Sequence, residues 1–187
     1  MKYPAMRCYP ICLILAVFMM ACEPEGINTD PKTTDVIKLA TQEFSYEALH
    51  YHDTVYIPIY SDIYSESKDV KFLLTATLSI RNTSLTDTIY IGDIRYYDSG
   101  GALIRNYLKD EILVLKPMQS VEYVIERNDT AGGTGANFLL NWAAPTSSIN
   151  PVFQGVMIST HGQQGISFIT EGVSISRLKP DLSDTID

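Results

Sequence analysis

The chain has 187 residues, of which 45% are hydrophobic and 19% charged, an ordinary composition for one globular domain with a short extension. Twenty-two acidic residues outweigh 14 basic ones, so the formal net charge at pH 7 is −8. This acidic balance argues against nucleic-acid binding and against attachment to anionic lipid by charge alone, because both need a basic excess.

The first residues have the pattern of an export signal. Lys2 and Arg7 precede an apolar run over residues 11–21. That run matches the hydrophobic region of a signal peptide and is shorter than the about 20 residues that a membrane-spanning helix needs. We therefore predict a signal peptide over residues 1–21. Its removal would change the net charge from −8 to −10, because it contains Lys2 and Arg7 and no acidic residue.

The three cysteines of the chain, Cys8, Cys12 and Cys22, all lie in or directly after this segment. Residues 19–22 (MMAC) resemble the lipobox of bacterial lipoproteins, although Met19 stands where Leu is usual. In such proteins the cysteine becomes the first residue and is acylated, which gives stable anchoring. Cys22 is the predicted lipid attachment site, and the membrane is a predicted partner through it. The alternative is an ordinary secretory signal that leaves one cysteine behind.

The organisation after Cys22 follows from composition. A mature chain with one cysteine forms no intrachain disulfide and no Cys-rich zinc site. Residues 22–52 are polar at first and carry prolines, so we predict a tether. Within it, residues 35–49 are compatible with one short helix, whose apolar face would hold Val36, Ile37, Ala40 and Phe44. Residues 179–187 are predicted to be a polar tail.

From Asp53 onward the apolar residues recur with a period of two, which is typical of half-buried strands. Pro58 favours an edge strand, because proline cannot donate to a neighbouring strand. A phase slip near Gly92 predicts a bulge. The predicted inward-facing residues of the first two strands are Val55, Ile57 and Ile59, and Phe72, Leu74, Ala76, Leu78 and Ile80. Further strands are predicted at 88–97, 102–108 (after a turn at 98–101), 112–115, 120–127, 137–143, 152–160 and 164–176.

Short strands with turn signals roughly every 8–12 residues, and no alternation with helices, predict an all-β domain. We expect an antiparallel, two-sheet, immunoglobulin-like sandwich over residues 53–178. The bulky candidates for its core are Phe72, Phe138, Trp142 and Phe168.

Five segments in this order resemble an uncharacterised bacterial family catalogued as domain of unknown function 3124. They are residues 55–61 (VYIPIYS), 77–83 (TLSIRNT), 96–98 (YYD), 132–138 (GGTGANF) and 162–168 (GQQGISF). The resemblance implies an exported or lipid-anchored envelope protein. It implies no known activity and transfers no catalytic residue.

Two loops are candidates for binding a ligand or a partner. The first runs from Asp129 to Asn137 and contains Gly132, Gly133 and Gly135. It lacks the motifs of phosphate-binding loops, so either its amides bind something else or its glycines serve a turn with positive φ.

The second candidate loop contains Gln163 and Gln164 between two glycines. The Gln amides suit sugars or peptide backbone, and the alternative is a simple hairpin loop.

His50, His52 and Asp53 are the one metal-like cluster of the sequence, but they lie where tether and domain meet, and we predict no metal site and no cofactor. The chain has three histidines and no G-x-S-x-G motif. We therefore expect that the protein is not an enzyme.

The sequence thus predicts a lipid-anchored, non-catalytic protein of the bacterial envelope, with the outer membrane as the expected location. It would bind an unidentified envelope protein or serve structurally. The alternative is a sugar- or peptide-binding module that uses the loops 128–137 and 160–165. A ligand module should have a concave pocket with convergent polar groups at those loops, whereas a protein-binding module should have an exposed apolar patch or an unpaired strand edge.

Overall fold

The computed structural model describes residues 37–40, 45–161 and 164–176, which form an all-β structure with antiparallel strand pairs. None of the described residues forms a helix with the length and hydrophobicity of a membrane span. The strands are β1 (Ile37–Ala40), β2 (Tyr51–Pro58), β3 (Asp62–Tyr64), β4 (Lys71–Leu73), β5 (Thr75–Arg81), β6 (Ile89–Tyr97), β7 (Leu103–Asn106), β8 (Glu111–Leu115), β9 (Ser120–Ile125), β10 (Asn137–Ala144), β11 (Val152–His161), β12 (Gln164–Glu171) and β13 (Val173–Ser174).

The described strands form three sheets. The large sheet has seven strands in the order β1-β8-β6-β10-β2-β13, with β7 also paired to β6. The second sheet has four strands in the order β12-β11-β5-β9, and β3 and β4 form a separate two-stranded sheet. The prediction of an antiparallel all-β domain is confirmed.

The apolar faces that the alternation predicted are buried. Ile57 and Ile59 are fully buried. So are Leu78 and Ile80 of β5, and Leu74, which directly precedes that strand. These side chains, from both larger sheets, belong to one core cluster. Of the predicted bulky core residues, Phe138 and Trp142 are buried, whereas Phe168 and Phe72 are only half-buried.

The predicted bulge at Gly92 is confirmed. Between β6 and β10 the register passes from Asn141 opposite Asp93 to Trp142 opposite Ile91, so Gly92 is the extra residue. The bulge reverses the inward phase, which explains why Ile91 and Ile94 are both buried although they are three residues apart.

The predicted hairpin turn at residues 98–101 is also confirmed, and it joins β6 to β7. The Asp98 carboxylate accepts hydrogen bonds from the Gly100 and Ala102 amides, both at 2.8 Å. Gly101 has φ +84°, a conformation that glycine adopts without strain.

The described part of residues 35–49 is not a helix, so that prediction is wrong for those residues. Ile37–Ala40 is a strand that pairs with β8, and only the 3₁₀ turn Tyr46–Ala48 is helical. Val36 and Phe44 lie outside the described residues. A short segment is a poor isolated helix, and pairing with β8 satisfies its backbone instead. Part of the predicted tether therefore belongs to the domain.

The predicted strand at 164–176 is two strands in two sheets. β12 lies in the four-stranded sheet, and β13, after Gly172, pairs with β2 in the large sheet. The Gly172 amide donates to the Phe153 carbonyl at 2.8 Å, and a Cβ on Gly172 would lie 2.7 Å from the Val55 side chain. Only glycine fits this close crossing without a shift of its neighbours.

Pro58 does not mark an edge strand, because β2 lies between β10 and β13. The prediction of an edge strand is therefore wrong. Pro58 itself has no partner in β13, because β13 pairs only with Val55 and Tyr56 of β2. The Pro58 carbonyl instead accepts a hydrogen bond from the Thr170 hydroxyl at 2.6 Å.

Candidate functional site

The predicted glycine-rich loop closes on the neighbouring hairpin turn. Both the amide and the hydroxyl of Ser99 donate to the Gly132 carbonyl at 2.9 Å. The Gly135 amide donates to the Ser99 hydroxyl at 2.8 Å, and the Ser61 amide donates to the Gly133 carbonyl at 3.0 Å. Much of the polar backbone of the loop is therefore bonded within the protein.

At two of the three glycines, a residue with a Cβ would clash with its neighbours or strain the backbone. Gly133 has φ +77°, which confirms that the loop uses a positive φ. A Cβ on Gly132 would lie 2.0 Å from the Tyr96 hydroxyl oxygen and 2.6 Å from that of Ser61. On Gly135 it would lie 3.3 Å from the Ser99 hydroxyl, a tight contact that a small movement relieves. These constraints support the turn interpretation of the loop.

Tyr96 forms the floor of this loop. Its hydroxyl and that of Ser61 share a buried hydrogen bond of 2.8 Å, and its ring stacks on Phe138 at 5.0 Å between centroids. Burial raises the pKa of Tyr96, and the hydrogen bond to Ser61 opposes that effect in part. The floor is therefore a neutral, packed aromatic at ordinary pH.

The two ends of the loop are also tied into the fold. The Asp129 carboxylate pairs with the Arg105 guanidinium at 3.1 Å and accepts the Ala131 amide at 3.3 Å. Asn137 begins β10, with Pro58 opposite on one side and Tyr97 on the other. The hydrogen bond to Tyr107 and the pairing with Asp129 raise the pKa of Arg105, so the guanidinium stays charged. Asp129 thus fastens the loop to β7.

The second predicted loop is described only in part, because Gln163 lies outside the described residues. Gln164 is exposed at the start of β12 and lines a cavity of about 270 Å³ with Phe72, Ser159 and Ile166. The Ser159 hydroxyl donates to the Leu73 carbonyl at 2.7 Å and is thus already engaged. The described residues do not bring Gln164 together with the glycine-rich loop in one polar pocket.

The metal-like residues His52 and Asp53 point to opposite faces of β2. His52 is exposed, with its Nε2 2.9 Å from the Leu49 carbonyl and its ring edge-on to Tyr46 at 5.1 Å. Asp53 is buried. In the part of the chain that the structure describes, no group of three His, Cys, Asp or Glu side chains could hold a metal ion.

The outward side of the four-stranded sheet carries exposed apolar residues from three strands. Ile169 of β12 is opposite Val156 of β11, which is opposite Thr77 of β5, and Thr77 is opposite Val124 of β9. Ile158 follows Val156 on the same side. Val124, Ile158 and Ile169 are 53, 52 and 59% exposed. We call Val124, Val156, Ile158 and Ile169 the apolar face.

The apolar face ends at an open strand edge. Among the described strands, none pairs with the outer side of β12. Exposed edges are usually protected by Lys, Pro or a bulge, but β12 contains neither Lys nor Pro, and its one charged residue is Glu171. Such an edge can accept a strand from another chain.

Sequence reasoning missed this surface. The strands at 152–160 and 164–176 were predicted, and the alternation of apolar residues along them was visible. Which side of each strand faces outward depends on the sheet that it joins, and the prediction of one strand at 164–176 does not include the crossing at Gly172.

The family model described as "Protein of unknown function (DUF3124)" matches residues 52–175. The chain belongs to this family. The match runs from β2 to just beyond β13 and confirms the resemblance seen in the five sequence segments.

No curated protein matches the sequence. A solved structure entitled "Crystal Structure of Thermotoga maritima 1070" is similar over 65% of this chain and 92% of that chain, with 11% sequence identity and a TM-score of 0.37.

Proposed function

We propose that this family member is a non-catalytic, lipid-anchored protein of the bacterial envelope that binds another envelope protein through its four-stranded sheet. The observation that carries the proposal is the apolar face beside the open edge of β12. The anchor is Cys22, and the expected location is the outer membrane.

The apolar face suits a protein partner because its residues are neighbours across strands and not scattered. Val124, Ile158 and Ile169 each keep more than half of their surface exposed. Covering that surface contributes on the order of 1 kcal/mol for each side chain, before the cost of association is subtracted. A partner strand added to β12 would contribute main-chain hydrogen bonds and fix the register.

The proposal includes an immunoglobulin-like sandwich with the two larger sheets as its layers. Two features support it. Residues of both sheets share one core cluster, and the Thr170 hydroxyl of β12 bonds to the Pro58 carbonyl of β2. The apolar face would then be the solvent side of one layer.

Site-specific photo-crosslinking in the cells that produce the protein tests the binding surface. A photoreactive residue at Ile158 or Ile169 should give one discrete cross-linked product. The same residue at Leu85, which is 79% exposed outside the apolar face, is the matched control and should not. The pair of substitutions Ile158→Lys and Val124→Lys should suppress the product from position 169, because buried lysines are costly in an apolar contact.

Two outcomes would contradict the proposal. One is cross-linking at Ile158 and Ile169 no stronger than at Leu85. The other is a product that persists in the lysine variant when the thermal midpoint shows that the variant is folded.

A further inference from the structure

A second cavity lies near the start of β2, at the other end of the strand from the glycine-rich loop. Its volume is about 140 Å³. It has a charged side, formed by Asp53 with Ser174, and an apolar side, formed by Trp142, Ile149 and Phe153. Both Asp53 and Trp142 are more than nine-tenths buried.

The Asp53 carboxylate lacks a cationic partner among the described residues. Its Oδ1 accepts hydrogen bonds from the Thr54 amide at 2.8 Å and from the hydroxyls of Ser174, at 2.7 Å, and Ser176. All three donors are neutral. A buried carboxylate is usually paired with a cation, because hydrogen bonds from neutral groups only partly replace the water that it has lost.

Trp142 is directly opposite Asp53 in the β2–β10 pair. No described atom accepts a hydrogen bond from its indole N–H. Contacts with the rings of Tyr51 at 5.2 Å and Phe153 at 5.9 Å hold the indole in place. Buried donors are normally satisfied, so the lining of the cavity holds a carboxylate without a cation beside an indole N–H without an acceptor, although the indole nitrogen itself is covered.

We propose that this cavity binds a small organic ammonium compound that also carries an oxygen acceptor. The ammonium group donates to Asp53 and lies near the Trp142 ring, whose face attracts cations. The oxygen accepts the indole N–H after a small movement of the ring uncovers the nitrogen, and the carbon skeleton packs on Ile149 and Phe153. A cavity of about 150 Å³ holds a benzene molecule, so the ligand has roughly six non-hydrogen atoms or fewer. This site is separate from the apolar face and does not depend on the proposed protein binding.

The tryptophan fluorescence of the full-length protein reports binding at this site directly, because Trp142 is the single tryptophan of the chain. The probes are ethanolamine and 3-amino-1-propanol. Ethylene glycol and 1,3-propanediol are neutral controls of matching size. The amines should give a saturable change in emission, and the diols should bind about tenfold more weakly or worse, since charge-assisted hydrogen bonds are roughly twice as strong as neutral ones.

Variants separate the two contacts. Asp53→Asn keeps an acceptor for Ser174 and Ser176 but removes the charge, so it should weaken amine binding by about tenfold or more. Glu122→Gln makes the same change of charge at an exposed position of β9 and should leave binding unchanged. Trp142→Phe keeps a ring without the N–H and should weaken binding in calorimetry. If Asp53→Asn fails to fold, Trp142→Phe still tests the site.

Four results would overturn the proposal. The first is no saturable response to the amines in the unaltered protein. The second is equal binding of amines and diols. The third is unchanged amine binding by Trp142→Phe. The fourth is a response that appears only after Arg177→Gln and Lys179→Gln. These two residues lie outside the described part of the chain, and that result would mean that the cation comes from the chain itself.

Discussion

At Gly132 the backbone passes over the hydroxyls of Ser61 and Tyr96, and at Gly133 it takes a positive φ. These are different constraints within one loop. The first is a lack of space beside packed atoms, and the second is a backbone conformation that a Cβ disfavours. Gly135 carries neither, because only the movable Ser99 side chain lies close.

We therefore expect the three Gly→Ala variants to differ in stability. Gly133→Ala should lose about 1 kcal/mol of unfolding free energy or more, from backbone strain and from displacement of the Ser99 hydroxyl. Gly132→Ala should lose more, about 3 kcal/mol, because the buried hydroxyl pair must move apart. Gly135→Ala should lose less than about 0.5 kcal/mol, as for an ordinary surface change. Denaturant-induced unfolding measures all three.

The control for this series is Gly101→Ala. Gly101 has φ +84°, and no atom lies within 4 Å of the position that a Cβ would take, so this variant isolates the cost of the backbone conformation. Gly101→Ala should lose about 1 kcal/mol, and Gly133→Ala should lose at least as much, because a Cβ on Gly133 would also lie 2.8 Å from the Ser99 hydroxyl. If Gly132→Ala proves as stable as Gly135→Ala, the steric explanation is wrong, and a folded Gly132→Ala that loses partner binding would favour a binding role for the loop.

Between elements, Asn82 joins the end of β5 to the end of β8. It is 2% exposed, and its Nδ2 donates to the carbonyls of Asp87 at 2.8 Å and of Leu115 and Lys116 at 3.0 Å. Its Oδ1 accepts the Ser84 amide at 3.0 Å. One side chain thus satisfies several backbone groups at the place where the four-stranded and the large sheet approach each other.

Asn82→Ala should lower the unfolding free energy by about 2–3 kcal/mol, because it leaves buried carbonyls without donors. Asn82→Asp should be at least as damaging, since it directs a carboxylate oxygen at those carbonyls. Thr83→Ala, which removes an exposed hydrogen bond to the Asn150 carbonyl, is the control and should cost about 1 kcal/mol. Equal losses at positions 82 and 83 in thermal unfolding would refute a special role for Asn82.

For several of the long strands, the local alternation of side chains was sufficient to predict where each strand begins and ends. β6, β10 and β11 were predicted with nearly their observed bounds, because each alternates over enough residues to reveal a buried face. The run from Phe72 to Ile80, predicted as one strand, is instead divided at Leu74 into β4 and β5, which lie in different sheets. The short strands β1, β3, β4 and β13 were not predicted as such. Strands of two to four residues carry too little pattern, and their pairing partners stabilise them.

For the molecule as a whole, attachment to the membrane is predicted to depend on one cysteine. Cys22→Ala should abolish acylation and processing at this position, which metabolic labelling with a fatty-acid analogue measures. Cys12→Ala changes a cysteine inside the apolar run and should keep the label, because it leaves residues 19–22 intact. A Cys22→Ala protein labelled as strongly as the unaltered one would disprove the anchor.

Of the candidate sites, one could be predicted from the sequence and two could not. The glycine-rich loop was visible as a motif, and its need for a positive φ followed from the residue type. The apolar face and the pairing of Asp53 with Trp142 have no signature in the sequence, although Asp53 belongs to the metal-like cluster and Trp142 to the predicted core. Their relation exists only through the register of β2 with β10.

Sequence pattern was enough to predict the family, the all-β class, the inward faces of the long strands, the bulge at Gly92 and the turn at residues 98–101. The family follows from the resemblance of five segments. The other features follow from side-chain period or from the special backbone of glycine, which act over a few neighbouring residues. Only the folded protein shows that residues 37–40 join β8, that the chain changes sheets at Gly172, and that Asp53 lies opposite Trp142. Such contacts join residues far apart in the chain, and their free energy depends on packing and pairing that no local pattern records.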